Sequence, residues 1–130
     1  MTASDGTIGG QPQVWLRAEG LAAFALSTAL YFAVGAPMWL YFVLILAPDL
    51  AMLGYLGGPR LGATAYNLVH SYAGPAVLAV IGALTASAAF GVALIWTAHI
   101  GLDRLLGYGL KYPTAFGHTH LGMVGRKQSD

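Results

Sequence analysis

The chain is 130 residues long, 57% hydrophobic and only 8% charged, with a formal net charge of +1 and a positive mean hydropathy. Soluble domains carry about 25% charged residues, so this composition excludes a water-soluble globule. Without a basic block or aromatic–basic interleaving it also offers nothing to nucleic acid. The lack of cysteine excludes disulfides, thiolate nucleophiles, iron–sulfur clusters and Cys-ligated zinc, so any metal must be held by His, Asp or Glu.

In chain order, residues 1–14 are small and polar and lack the basic start and short apolar core of a cleaved signal peptide; they read as a disordered cytoplasmic tail. Residues 15–112 read as one transmembrane domain of four helices. The first span runs from about Gly20 to Gly35, behind Trp15, Arg17 and Glu19 at the water interface, and stops at the Gly35-Ala36-Pro37 turn. The second runs from about Met38 to Gly57, begins with Trp39, Tyr41 and Phe42, and contains Pro48-Asp49, where proline frees a carbonyl and kinks the helix. The third, from about Leu61 to Leu84, carries Tyr66, Asn67, His70 and Tyr72 before a break at Gly74-Pro75. The fourth, from about Phe90 to Tyr108, carries Trp96, His99, Asp103 and Arg104. Each is near the roughly 20 residues that cross the hydrocarbon. Residues 113–130 read as a cytoplasmic segment.

Arg17, Arg60, Lys111, Arg126 and Lys127 all fall before span one, between spans two and three, or after span four. The positive-inside rule therefore predicts both termini in the cytoplasm. Short loops then predict an up-down four-helix bundle in which each helix packs antiparallel to its sequence neighbour.

That topology gives the buried polar residues a common depth. At about 1.5 Å per residue, Asp49 lies roughly 12 Å before the cytoplasmic end of helix two, and His70 roughly 12 Å after the start of helix three. On helix four His99 falls at a similar level, with Asp103 one turn nearer the surface. A titratable group inside a bilayer is a functional-site candidate by default. His99 and Asp103 are four apart and share a helix face, as Tyr66 and His70 do, while Asn67 and His70 are three apart. Imidazole and carboxylate together suit Zn, Mn and Fe. No H-E-x-x-H, P-loop or G-x-S-x-G motif occurs.

The runs LAPDLAMLGYLGGPRLGATAYNLVHSY and ALIWTAHIGLDRLLGYGLKYPTAFGHTHLG resemble the small bacterial integral membrane proteins grouped as the domain of unknown function 4260 (DUF4260) family. The distinctive pieces are the APD run with Gly54 and Tyr55, the YN-x-x-H run of Tyr66, Asn67 and His70, and the stretch from His99 to Tyr112 followed by T-H-L-G. The resemblance covers about Leu16 to Gly122. It implies a helical membrane protein of the bacterial cytoplasmic (inner) membrane and brings no activity with it.

The leading reading of these residues is a membrane-embedded, metal-dependent hydrolase-like enzyme acting on a lipid or other amphiphile at the cytoplasmic leaflet. His70, His99, Asp103 and Asp49 are the metal candidates, with His118 and His120 placed to close over the site. Asp49, Tyr66 and Asn67 are the catalytic candidates, Asp49 as general base. Arg104 and Lys111 are positioned for an anionic headgroup or phosphate. Membrane lipids, a lipid-like substrate and a second copy of the chain are the expected partners. Three other readings compete: a proton- or cation-translocating subunit, a metal-free acid–base isomerase or cyclase, and a structural accessory protein. In the plainest account Asp49 pairs with Arg104, Asp103 with Arg60, His70 bonds Asn67 or a carbonyl released by Pro75, and the tyrosines are interfacial anchors.

Overall fold

A computed structural model describes residues 8–112 and 118–123. The fold is helical: α1 (Gly10–Ala33), α2 (Met38–Leu44), a 3-10 helix (Ala47–Gly57), α3 (Pro59–Val69), α4 (Ala73–Thr85) and α5 (Ala89–Leu106), followed by a hairpin of two-residue strands, β1 (His118–Thr119) and β2 (Gly122–Met123). Three stretches are long and apolar enough to cross a membrane: Met38–Gly57, Pro59–Thr85 and Ala89–Leu106. Helix α1 is long as well, but Gln11, Gln13, Arg17 and Glu19 dilute the apolar character of its first half. It begins at Gly10, so residues 10–14, expected in the tail, are helical.

The surface is apolar to an extent that water does not tolerate. Leu26, Leu46, Leu50, Leu56, Leu68 and Leu84 are all exposed, as suits a solvent of lipid tails, where polar backbone and side chains must be satisfied internally. Helix α5 is the exception, with Ala93, Leu94, Ile95, Ala98, His99, Ile100, Gly101 and Arg104 buried. It is the central helix, packed by α1 on one side and α4 on the other, while the 3-10 helix packs on α3. The principal partner of α1 is thus α5, not its sequence neighbour α2 as expected.

Glycines let these backbones approach. A Cβ on Gly101 would stand 2.6 Å from the Gly20 carbonyl oxygen and 2.6 Å from the Phe24 nitrogen. Further along, Gly91 meets Tyr31, so α1 and α5 run in opposite directions. Tyr31 is fully buried, and its hydroxyl donates to the Pro37 carbonyl at 2.6 Å, which pins the Gly35-Ala36-Pro37 turn.

Two interruptions shape the site. The second apolar stretch is α-helical only to Leu44. From Ala47 it is a 3-10 helix, with Pro48 at its start and the Asp49 amide donating to the Leu46 carbonyl at 3.1 Å. The third stretch breaks at His70, Ser71 and Tyr72, slightly ahead of the expected Gly74-Pro75; Pro75 instead sits in the first turn of α4, where a missing N–H leaves no bond unmade. The carbonyls at this break are taken by side chains of α5. The Trp96 indole donates to Val69 O at 2.6 Å, and Arg104 donates to His70 O at 2.7 Å.

Candidate metal centre

The 3-10 geometry decides where Asp49 lies. Eight residues separate it from Gly57, which at about 2.0 Å per residue is roughly 16 Å. Eleven residues of α-helical rise from Pro59 to His70 also give roughly 16 Å. The two side chains therefore reach one level from opposite sides of the Gly57-Gly58 turn, and α5 brings His99 and Asp103 to the same place.

There the four converge, with one ligand atom from each lying within 4.8 Å of every other. The two Nε2 atoms of His70 and His99 are 3.1 Å apart. Asp49 Oδ1 is 3.3 Å from His70 Nε2 and 3.1 Å from His99 Nε2. Asp103 Oδ2 is 3.5 Å and 3.3 Å from the same two nitrogens. The histidines are buried and the Asp103 side chain is 16% exposed, while that of Asp49 is 37% exposed. Asp49 marks the open face.

The outer nitrogens fix the tautomer of each neutral ring. His70 Nδ1 bonds the Tyr66 carbonyl at 2.9 Å, and His99 Nδ1 bonds the Ile45 carbonyl. A carbonyl only accepts, so each Nδ1 carries the hydrogen and each neutral ring turns the lone pair of Nε2 inward. The Ile45 carbonyl is available because the switch out of α-geometry sends the Asp49 amide to Leu46, one residue on. The cluster thus aims two nitrogen lone pairs and two carboxylate oxygens at one point. Such a set is self-repelling unless a cation or shared protons sit among them. Five of the six separations also suit a metal: a tetrahedron with bonds of about 2.0–2.1 Å has edges of about 3.3–3.4 Å, against 3.1–3.5 Å here, with the two carboxylate oxygens within 4.8 Å of each other.

Tyr66 supports the cluster from α3. Its ring stacks on His70 with centroids 3.7 Å apart, and its hydroxyl donates to Asp103 Oδ2 at 3.4 Å. Asn67 does not face the cluster. Its amide nitrogen donates to Lys111 O at 2.7 Å and its amide oxygen accepts from Lys111 N at 2.6 Å, clamping the segment after α5 onto α3. Lys111 is buried, with its ammonium 4.5 Å above the Tyr66 ring. Burial lowers its pKa from the ordinary lysine value, against the opposing pull of Asp103 and Asp49.

Arg104 is a correction to the headgroup reading. It is buried, and its guanidinium donates to Tyr108 O and His70 O, both at 2.7 Å, instead of reaching the membrane surface or Asp49. His120 also stands apart from the four ligands: its Nδ1 accepts the Leu110 amide at 2.9 Å, bracing the hairpin against the end of α5. The side chain of His118 lies outside the described residues. Two contributors had no sequence assignment, the Ile45 carbonyl and Trp96. Pro48, which marks a departure from α-geometry, was the available signal for the first.

No curated protein and no solved structure matches this chain. Over residues 13–124 the sequence matches the family model described as a domain of unknown function, DUF4260, and the chain belongs to that family.

Proposed function

We propose that the protein is a membrane-embedded hydrolase that depends on a divalent metal held by His70, His99 and Asp103, with Asp49 on the open face handling the proton. The observation that carries this reading is the inward convergence of two imidazole lone pairs and two carboxylates, each ring being fixed from behind by a backbone carbonyl. A divalent ion in such a set supplies a Lewis acid and makes water a nucleophile at neutral pH. In the hydrolysis itself the water oxygen bonds the electrophilic carbon or phosphorus of the substrate, and the bond to the leaving group breaks. The proton released passes through Asp49 to that leaving group. Tyr66 positions Asp103 and His70, and Asn67 positions Lys111, whose ammonium is suited to an anionic head.

The chain sits in this reading as an up-down bundle in the cytoplasmic membrane, with both termini and the site on the cytoplasmic side. Arg17 donates to the Leu105 carbonyl at 2.8 Å, so the basic start of α1 lies beside the end of α5 that leads to Lys111.

Detergent-purified protein incubated with Zn, Mn or Fe and desalted should retain about one equivalent of metal. Asp49→Asn should keep most of it while losing hydrolysis of a panel of lipid esters, amides and phosphoesters followed by mass spectrometry. Retention below about one-tenth of an equivalent by the wild type overturns the metal reading.

A further inference from the structure

The ligand cluster has a polar side and an apolar side. On the polar side α5 continues through Asp103 and Arg104 toward Lys111. On the other, a cavity of about 280 Å³ is walled by Ala47, Pro48, Val69, Val92, Ile95 and Trp96 among its lining residues. Three of these residues neighbour ligands along the chain. Pro48 directly precedes Asp49, Val69 directly precedes His70, and Ile95 lies one helical turn before His99. The indole bond from Trp96 to Val69 O holds the wall between α3 and α5 in place.

We infer, building on the hydrolase reading, that the substrate is a single-chain amphiphile whose hydrolysable head meets the ligand cluster while its hydrocarbon tail lies in this cavity. Three observations lead there. The lining is apolar, so a polar substrate gains nothing from it. Ile95 in the cavity wall shares a helix face with His99 one turn on, so a molecule lying there has its end about 6 Å of helix rise from a ligand. The stretch that supplies the cavity's Ala47 and Pro48 also exposes Leu46 and Leu50, as suits a surface among lipid tails.

Size limits the tail to one chain. From Val92 to His99 is seven residues, roughly 10 Å of helix, which at about 1.2 Å per bond takes roughly eight chain atoms. By volume, 280 Å³ divided by the roughly 30 Å³ of a water-sized group gives about nine. A larger apolar cavity of about 440 Å³, lined by Tyr31, Pro37 and Phe90 among others, is a poorer partner for the ligands, because Phe90 precedes His99 by nine residues, roughly 13 Å of helix.

The test uses the full chain in detergent micelles, loaded with zinc, and compares acetohydroxamate with long-chain alkyl hydroxamates on wild type and Ala47→Phe. Micellar partition of each probe is common to both proteins and cancels. The filled cavity should weaken the long-chain probes by about tenfold or more and leave acetohydroxamate within about twofold. Equal weakening of both probes, or of neither, overturns the tail assignment.

A second arm needs neither zinc nor a variant. A fatty acid carrying a diazirine on its eighth carbon is irradiated with the wild type, and labelling should concentrate on the peptides holding Ala47 and Val92 to Trp96. Labelling centred on Tyr31 and Phe90, or spread evenly over the lipid-facing leucines, refutes the inference. Failure of the hydrolase reading looks different: the protein then retains no metal, while the photolabel still decides where a tail lies.

Discussion

His99→Ala should abolish the stabilisation that metal gives the fold. His99 supplies one of four converging ligand atoms, with its Nε2 3.1 Å from both His70 Nε2 and Asp49 Oδ1. Apparent binding energies of about 10–16 kcal/mol for four-ligand zinc sites correspond to about 2.5–4 kcal/mol per ligand. Losing one ligand therefore raises Kd on the order of 10²- to 10³-fold. With zinc at about one hundred times the wild-type Kd, the native wild type gains about 2.7 kcal/mol, whereas the variant gains at most about 0.4 kcal/mol at the same concentration. The wild-type unfolding midpoint should then rise on the order of 10 °C with zinc, and the variant's by no more than one or two. Thermal unfolding in detergent, with chelator and with zinc, reads this directly. Each protein serves as its own reference, so the cavity left by the ring and the freed Ile45 carbonyl cancel. A zinc-induced rise of the same size in His99→Ala would show that metal binds elsewhere and refute the argument.

Three further outcomes are expected. Burial, and after it the nearby Arg104 charge, lower the His120 pKa below the ordinary histidine value, so docking of the hairpin is complete above about pH 6.5 and is lost as pH falls through the lower folded value. Protection of the Leu110 amide, corrected for intrinsic exchange, should fall on acidification in the wild type and stay flat in His120→Asn; a flat wild-type profile removes His120 from this role. Gly101→Leu should cost about 1–3 kcal/mol, because the new Cβ meets backbone atoms of Gly20 and Phe24 that cannot rotate away, and unchanged unfolding would refute the close approach of α1 to α5. Reporter fusions after Ala36 and Ala86 should report the outside, and fusions after Pro59 and Tyr112 the inside. Reversal of one pair relative to the other eliminates the four-span arrangement.

The sequence by itself singled out the four residues that converge. Asp49, His70, His99 and Asp103 stand out because ionisable groups are costly inside apolar stretches, and helix rise alone placed the first three at a similar depth with Asp103 one turn away. The Gly35-Ala36-Pro37 turn and the chain's membership of its family were also legible, since both are carried by local residues. Tertiary structure decided the rest. Whether four groups at one depth meet or face apart depends on rotation about each helix axis, which packing fixes. Arg104 and Asn67 show the consequence: one was read as a headgroup contact from its depth and the other as a site group from its spacing, yet the broken end of α3 offers a carbonyl to the first and the segment after α5 offers its backbone to the second. The cavity beside the cluster was equally illegible. Two of its walls are joined by Trp96, a residue read only as part of span four, which reaches across to the Val69 carbonyl, and a contact between residues 27 apart leaves no periodic trace in a sequence.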